Sequence, residues 1–119
     1  MKVLFLDDNE DRWRDFRARR IGWDLTYVRN HDEALTALDS QRWDEIWLDH
    51  DLSEMATLGI YGQQEKTGCQ CVAEAIAALP KSLQPGAVFV HSLNPPGAKR
   101  IVATLQRAGI PAKQRSWLK

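Results

Sequence analysis

Apolar segments alternate with helical patterns along the chain. Val3-Leu4-Phe5-Leu6, Leu25 to Val28, Ile46-Trp47-Leu48, Val88-Phe89-Val90 and the stretch from Ile110 are each separated from the next by a longer amphipathic stretch. Strands spaced this far apart cannot be joined as hairpins. They need helical crossovers, and crossovers generate a parallel sheet with helices on both faces. The expected fold is therefore α/β, a single doubly wound five-stranded parallel sheet in the order 2-1-3-4-5. The length of 119 residues suits one domain spanning 1–119, large enough to bury a core without disulfides or structural metal.

The local signals place the elements. Strand one covers about residues 2 to 7. Asn9 offers an N-cap, Glu10 and Asp11 sit in the positive first turn, and Trp13, Phe16 and the stem of Arg20 give a stripe for a helix running to about Arg20. The arginines of this helix, Arg12, Arg14, Arg17, Arg19 and Arg20, read as a solvated face suited to the helix dipole. Strand two ends at Asn30, which caps a short helix carrying Glu33, Ala34, Leu35 and Leu38. Strand three is Glu45 to Asp49. A third helix follows Gly68, with Cys69, Val72, Ala73, Ile76 and Leu79 inward and Pro80 stopping it. Strand four is Ala87 to His91. Asn94-Pro95-Pro96-Gly97 then introduces helix four, with Ile101, Leu105 and Ala108 buried and Gly109 as C-cap. Ile110 to Trp117 forms the last strand. Pro111 cannot donate to a ladder and puts that strand at an edge, and no residues remain for a fifth helix.

Strands one and three both run into carboxylates, Asp7-Asp8 and Asp49-His50-Asp51, and strand four ends in His91. In an open parallel sheet the ligand crevice lies beyond the carboxyl ends of the strands, where strand order reverses. For the order 2-1-3-4-5 that point falls between strands one and three. Asp7, Asp8 and Asp49 are then neighbours, and neighbouring carboxylates repel unless a cation or a proton holds them. The segment Leu52 to Gly68 shows no clear periodicity, and a loop of that length after the acidic motif reads as an inserted loop or lid over the site.

Leu4-Phe5-Leu6-Asp7-Asp8-Asn9 and Asp44-Glu45-Ile46-Trp47-Leu48-Asp49 resemble the acidic pair and phosphoacceptor strand of response-regulator receiver domains, over nearly the whole chain. That resemblance implies a flavodoxin-like receiver fold, here lacking the last helix, and Mg2+ held by Asp7, Asp8 and Asp49, with Asp49 in the phosphoacceptor position. The chain departs from a signalling receiver where it has His91-Ser92 for the switch hydroxyl, and only Lys113 and Arg115 for the Lys-Pro pair. Asp49-His50-Asp51-Leu52, the insert ending in Thr67-Gly68, and His91-Ser92 followed by Asn94-Pro95-Pro96-Gly97-Ala98 are similar to a narrower family, the cyclic-phosphate processing receiver domain. This implies processing of a cyclic-phosphate nucleotide or RNA end, by hydrolysis or binding. The alternative is a stand-alone receiver phosphorylated on Asp49 that acts by binding a partner protein.

The residue chemistry is compatible with a metal-dependent phosphoesterase. Carboxylates at Asp7, Asp8 and Asp49 make a hard oxygen site for Mg2+, and a joining histidine tilts the choice toward Mn2+ or Zn2+. His50 and His91 are the candidate acid and base. Strand alternation puts His50 on the side opposite Asp49 and Asp51, so a half-buried structural role competes with catalysis. Asp51, Ser92, Asn94, Lys99 and Arg100 are the candidate phosphate-binding residues, the last four because the start of helix four presents free N–H groups. Asp51 has a loop-capping reading, and Lys99 and Arg100 a solvated one. The five tryptophans read as packing, with Trp47 and Trp117 also able to wall a nucleobase pocket.

Composition limits the partners. Sixteen basic and sixteen acidic side chains cancel to a net charge of zero, which gives no electrostatic reason for bulk DNA binding or an anionic membrane. No apolar run approaches the ~20 residues of a membrane span, and Met1-Lys2-Val3-Leu4 begins as a strand rather than a signal peptide. Cys69 and Cys71 are too close for an ordinary disulfide and fit reduced thiols in the cytoplasm.

Overall fold

The computed structural model describes residues 1–49, 68–91 and 95–115. Five strands, β1 (Lys2–Leu6), β2 (Asp24–Val28), β3 (Glu45–Asp49), β4 (Ala87–His91) and β5 (Ala112–Gln114), form one sheet in the order β2-β1-β3-β4-β5, and each paired neighbour is parallel. Between them lie α1 (Glu10–Ala18), α2 (His31–Ser40), α3 (Gly68–Ala77), a 3-10 turn at Lys81–Leu83 and α4 (Pro95–Arg107). The order is the one the alternation predicts, and the reversal falls between β1 and β3. No helix among the described residues is long and apolar enough to cross a membrane.

Strand periodicity divides the core into two unlike halves. Leu4, Leu6, Ile46, Leu48, Val88 and Val90 face α2, α3 and α4 with Ala34, Leu38, Val72, Ile76, Ile101 and Leu105, an aliphatic core. The alternate residues Val3, Phe5, Trp47 and Phe89 face α1 and Phe16, an aromatic core. Phe5, Trp47 and Phe89 pair across the sheet in one row. Among the described residues, α1 is the one helix packed on this face, and three cations extend the cover: Arg20 over Phe16 and Trp47 at 4.1 and 4.8 Å, Arg115 over Phe89 at 5.2 Å and Lys113 over Phe89 at 5.8 Å.

The helix ends follow the caps. Asn9 accepts from the N–H groups of Asp11 and Arg12, and Asn30 from that of Glu33. Gly109, at φ +83°, takes the left-handed turn after α4. Two boundaries differ from expectation. Helix α1 stops at Ala18 rather than near Arg20, because the chain tightens there: Arg20 donates to the Arg17 carbonyl only three residues back. Strand β5 covers Ala112–Gln114 rather than Ile110 to Trp117. Pro111 precedes its first ladder residue, and residues 116–119 lie outside the described part. No helix follows β5 among the described residues.

The edge of β3 is pinned electrostatically. Asp44 accepts a 2.8 Å hydrogen bond from the Lys2 amide and lies 3.2 Å from Arg42; the Lys2 bond is the main reason its carboxyl is held below the usual range. A depressed pKa stabilises the fold above the unfolded value of 3.8 and loses that contribution as pH falls through the folded value. Denaturant titrations should therefore show wild type ahead of Asp44→Ala near neutrality, with the charge-dependent part of the gap closing on acidification below that point. A gap that is constant with pH would contradict it.

Candidate functional site

The two-residue period of the strands builds the site. On β1 the α1-facing row runs Val3, Phe5 and then Asp7. On β3 it runs Glu45, Trp47, Asp49, and on β4 Ala87, Phe89, His91. Register brings the three ends level: Asp49 pairs with His91, and Asp7 lies one step beyond the Leu6 and Leu48 pair. Asp7, Asp49 and His91 consequently form the row above Phe5, Trp47 and Phe89. All three are buried, at 0%, 1% and 3% exposure, and one ligand atom from each lies within 4.8 Å of the others.

Burying two carboxylates side by side requires compensation. The Asn9 amide donates to Asp7 Oδ1 at 2.8 Å. The larger compensation is Arg12. Its Nε lies 2.9 Å from Asp7 Oδ2, and its Nη2 lies 3.1 Å from Asp7 Oδ1, 3.3 Å from Asp49 Oδ2 and 3.7 Å from Asp8 Oδ1. Sequence reasoning left Arg12 among the solvated arginines, and the structure corrects that. Its signal is spacing: Arg12 and Phe16, four residues apart, share the side of α1 that meets the sheet, and Arg20 follows at the same interval just past the helix end.

Protonation follows from these contacts. Burial raises the pKa of Asp7, although the Asn9 N–H and the Arg12 charge pull it down. Burial also works against the charge of Arg12, but Asp7 and Asp49 outweigh it and hold its pKa above the ordinary value. His91 is pushed down to about 3, by burial first and by the Arg12 charge second. It is a neutral imidazole at physiological pH, stacked flat on Phe5 with centroids 5.0 Å apart, and its Nδ1 is 3.7 Å from Asp7 Oδ2.

The candidate residues thus separate. Asp7, Asp49 and His91 converge. Asp8 is one-third exposed and meets the cluster through Arg12, and His91 joins Asp7 and Asp49 as a convergent donor. Lys99 and Arg100 are exposed on the first turns of α4. His50, Asp51, Ser92, Asn94 and Trp117 lie outside the described residues, as does the insert up to Thr67. Trp47 is 1% exposed, with Arg20 and Arg115 over its ring, so it is a core residue and not the wall of a nucleobase pocket.

The donor set suits a divalent cation. Asp7 and Asp49 offer hard oxygens, and Asp7 Oδ2 is fully buried yet makes no aligned hydrogen bond among the described residues. Such an oxygen already lies against the Arg12 cation, which is the charge it requires.

This sheet order, with acidic strand ends at the reversal point, defines a receiver fold, and solved structures agree. The chain superimposes on a response regulator from Hahella chejuensis (TM-score 0.65, 21% identity, covering 96% of this chain and 77% of that one). It also matches the receiver domain of the sensor histidine kinase PA1611 from Pseudomonas aeruginosa PAO1, crystallised with magnesium in its active-site cleft (0.65, 18%, 97% and 84%). A response regulator from Burkholderia pseudomallei, carrying a phosphorylated aspartic acid, calcium and citrate, aligns at 0.63 with 19% identity over 94% of this chain and 57% of its own. Within that fold, residues 2–107 match the model of the cyclic-phosphate processing receiver domain, and the chain belongs to this family. No curated protein matches it.

Proposed function

We propose that this protein binds a divalent cation, Mg2+ foremost, at Asp7, Asp8 and Asp49, with His91 as a further donor, and processes a cyclic-phosphate nucleotide or RNA end there, as a metal-dependent phosphoesterase or a binding module. The observation that carries the reading is the level row of three buried donors at the strand ends, in a chain of this family. The nitrogen of His91 keeps Mn2+ and Zn2+ among the ions the site suits. When bound, such an ion polarises a phosphoryl oxygen and lowers the pKa of water.

The chain's own groups divide the remaining work. Neutral His91 offers a lone pair, to a cation or to a proton, and cannot serve as an imidazolium donor at neutral pH. His50, the other candidate for acid–base work, lies outside the described residues. Lys99 and Arg100, exposed on the first turns of α4, would bind phosphate, and Ser92, Asn94 and Asp51, which lie outside the described residues, are the further candidates for that role. The protein would work in the cytoplasm, where its cysteines stay reduced.

A second reading follows from the β3-end position of Asp49 and from the phosphorylated aspartic acid of the Burkholderia regulator: Asp49 takes up a phosphoryl group and the domain binds a partner protein. One experiment separates them. The protein is incubated with Mg2+, Mn2+ or Zn2+ and a panel of 2′,3′- and 3′,5′-cyclic phosphates, and in parallel with acetyl phosphate. Turnover that needs metal and falls roughly a hundredfold or more in Asp49→Asn supports the enzyme. Ligand binding without turnover supports the binding module. Stable phosphorylation of Asp49 with neither turnover nor ligand binding overturns both in favour of the receiver.

A further inference from the structure

Arg12 occupies the oxygens that a cation would use. Among the described residues, the partners of its guanidinium are Asp7, Asp8 and Asp49. The contact with Asp7 Oδ2 is electrostatic rather than directional, because the 2.9 Å pair of Nε and Oδ2 makes no aligned hydrogen bond at either atom. The arginine side chain is 30% exposed, while those of Asp7 and Asp49 are 0% and 2% exposed. The guanidinium is therefore partly in contact with solvent while its nitrogens rest on buried carboxylates.

We propose that Arg12 is a tethered internal counterion that competes with the divalent cation for Asp7 and Asp49 and so sets the metal affinity of the site. This rests on the metal reading given above. Two positive charges cannot share one pair of carboxylate oxygens without mutual repulsion, and a cation entering the cluster must displace the guanidinium nitrogens from them. In the absence of metal, Arg12 relieves the repulsion between Asp7 and Asp49 and holds the row together. With metal, the same guanidinium is displaced from these oxygens. The α1 sequence thus builds a gate on metal occupancy from one residue, placed by its four-residue spacing from Phe16.

The test measures Mn2+ binding by the loss of the free-ion electron paramagnetic resonance signal, together with thermal unfolding in EDTA and in Mn2+. The proteins are wild type, Arg12→Gln, Arg12→Lys and the double variant Arg12→Gln with Asp49→Asn. Arg12→Gln should bind Mn2+ about tenfold or more tightly than wild type, since removal of one adjacent positive charge is worth at least that. It should also melt lower than wild type in EDTA and gain more from added Mn2+. Arg12→Lys, which keeps the charge but cannot span two carboxylates, should fall between them and serves as the folded comparison if Arg12→Gln proves unstable. The double variant should lose the gain, placing the ion on the same oxygens. Binding by wild type that is equal or stronger than in both Arg12 variants overturns the competition and leaves the metal reading standing. Absence of binding in every protein overturns both.

Discussion

Trp47→Ala should cost about 3–5 kcal/mol of folding stability, a large share of the ~5–15 kcal/mol that holds a typical domain together. Trp47 is 1% exposed at the centre of β3. It lies 5.3 Å from the Phe16 ring and 4.7 Å from Phe89, and it donates through Nε1 to Glu45 at 3.1 Å. Arg20 and Arg115 rest on it, at 4.8 and 5.7 Å. Truncation would open a cavity at the middle of the aromatic row and withdraw the ring over which two guanidinium groups are placed. Arg20 would suffer most: burial already lowers its pKa, so its charge is borne at a cost that the rings and Glu45 offset. Urea titration should show the midpoint fall steeply, and the melting temperature should drop by roughly 10–20 °C. Trp23→Ala, at a ring 39% exposed, should by contrast stay within about 1 kcal/mol. If the Trp47 variant behaved like the Trp23 variant, cover of this face by cations over a closed aromatic row would be refuted.

The same rows explain what the sequence disclosed and what it withheld. Sheet order and acidic strand ends were legible because both come from local periodicity: apolar residues at alternate positions mark the strands, and Asp7, Asp49 and His91 continue those alternations outward. Even the convergence of His91 with the two aspartates could be counted from parity, since Phe5, Trp47 and Phe89 each precede a site residue by two. Arg12 was not legible in the same way. A charged side chain on an arginine-rich helix is ordinarily solvated, and its burial depends on a partner distant in sequence, Asp49, brought near by the sheet. The requirement for a cation was nonetheless present in the reading of the carboxylates; what was missed is that the chain supplies one itself. The ends of β5 and α1 shifted for a related reason, because Pro111 and the turn after Ala18 act through backbone hydrogen bonds that hydrophobic pattern does not encode.

In the metal-free protein, acidification from pH 6 to pH 4 should cost wild type stability relative to His91→Phe, at a rate approaching about 1.4 kcal/mol per pH unit. The sign follows from the depressed pKa of His91. An unfolded chain protonates this imidazole near 6.5, whereas the folded protein holds it neutral down to about 3. Between those values the unfolded state carries the extra proton, and each step down in pH favours it. Phenylalanine is the suitable replacement because it keeps a flat ring against Phe5, where His91 now stacks at 5.0 Å and 5°. Asp7 acts in the opposite direction, since its raised pKa lets the folded state take up a proton first. The two effects overlap in an ordinary stability profile, and only the difference between wild type and the variant isolates the histidine. A difference that stayed flat, or moved in favour of wild type on acidification, would mean that His91 is charged and paired with Asp7, 3.7 Å away. The distinction reaches the chemistry directly. A histidine that stays neutral in its folded setting is competent to bind a cation or to accept a proton.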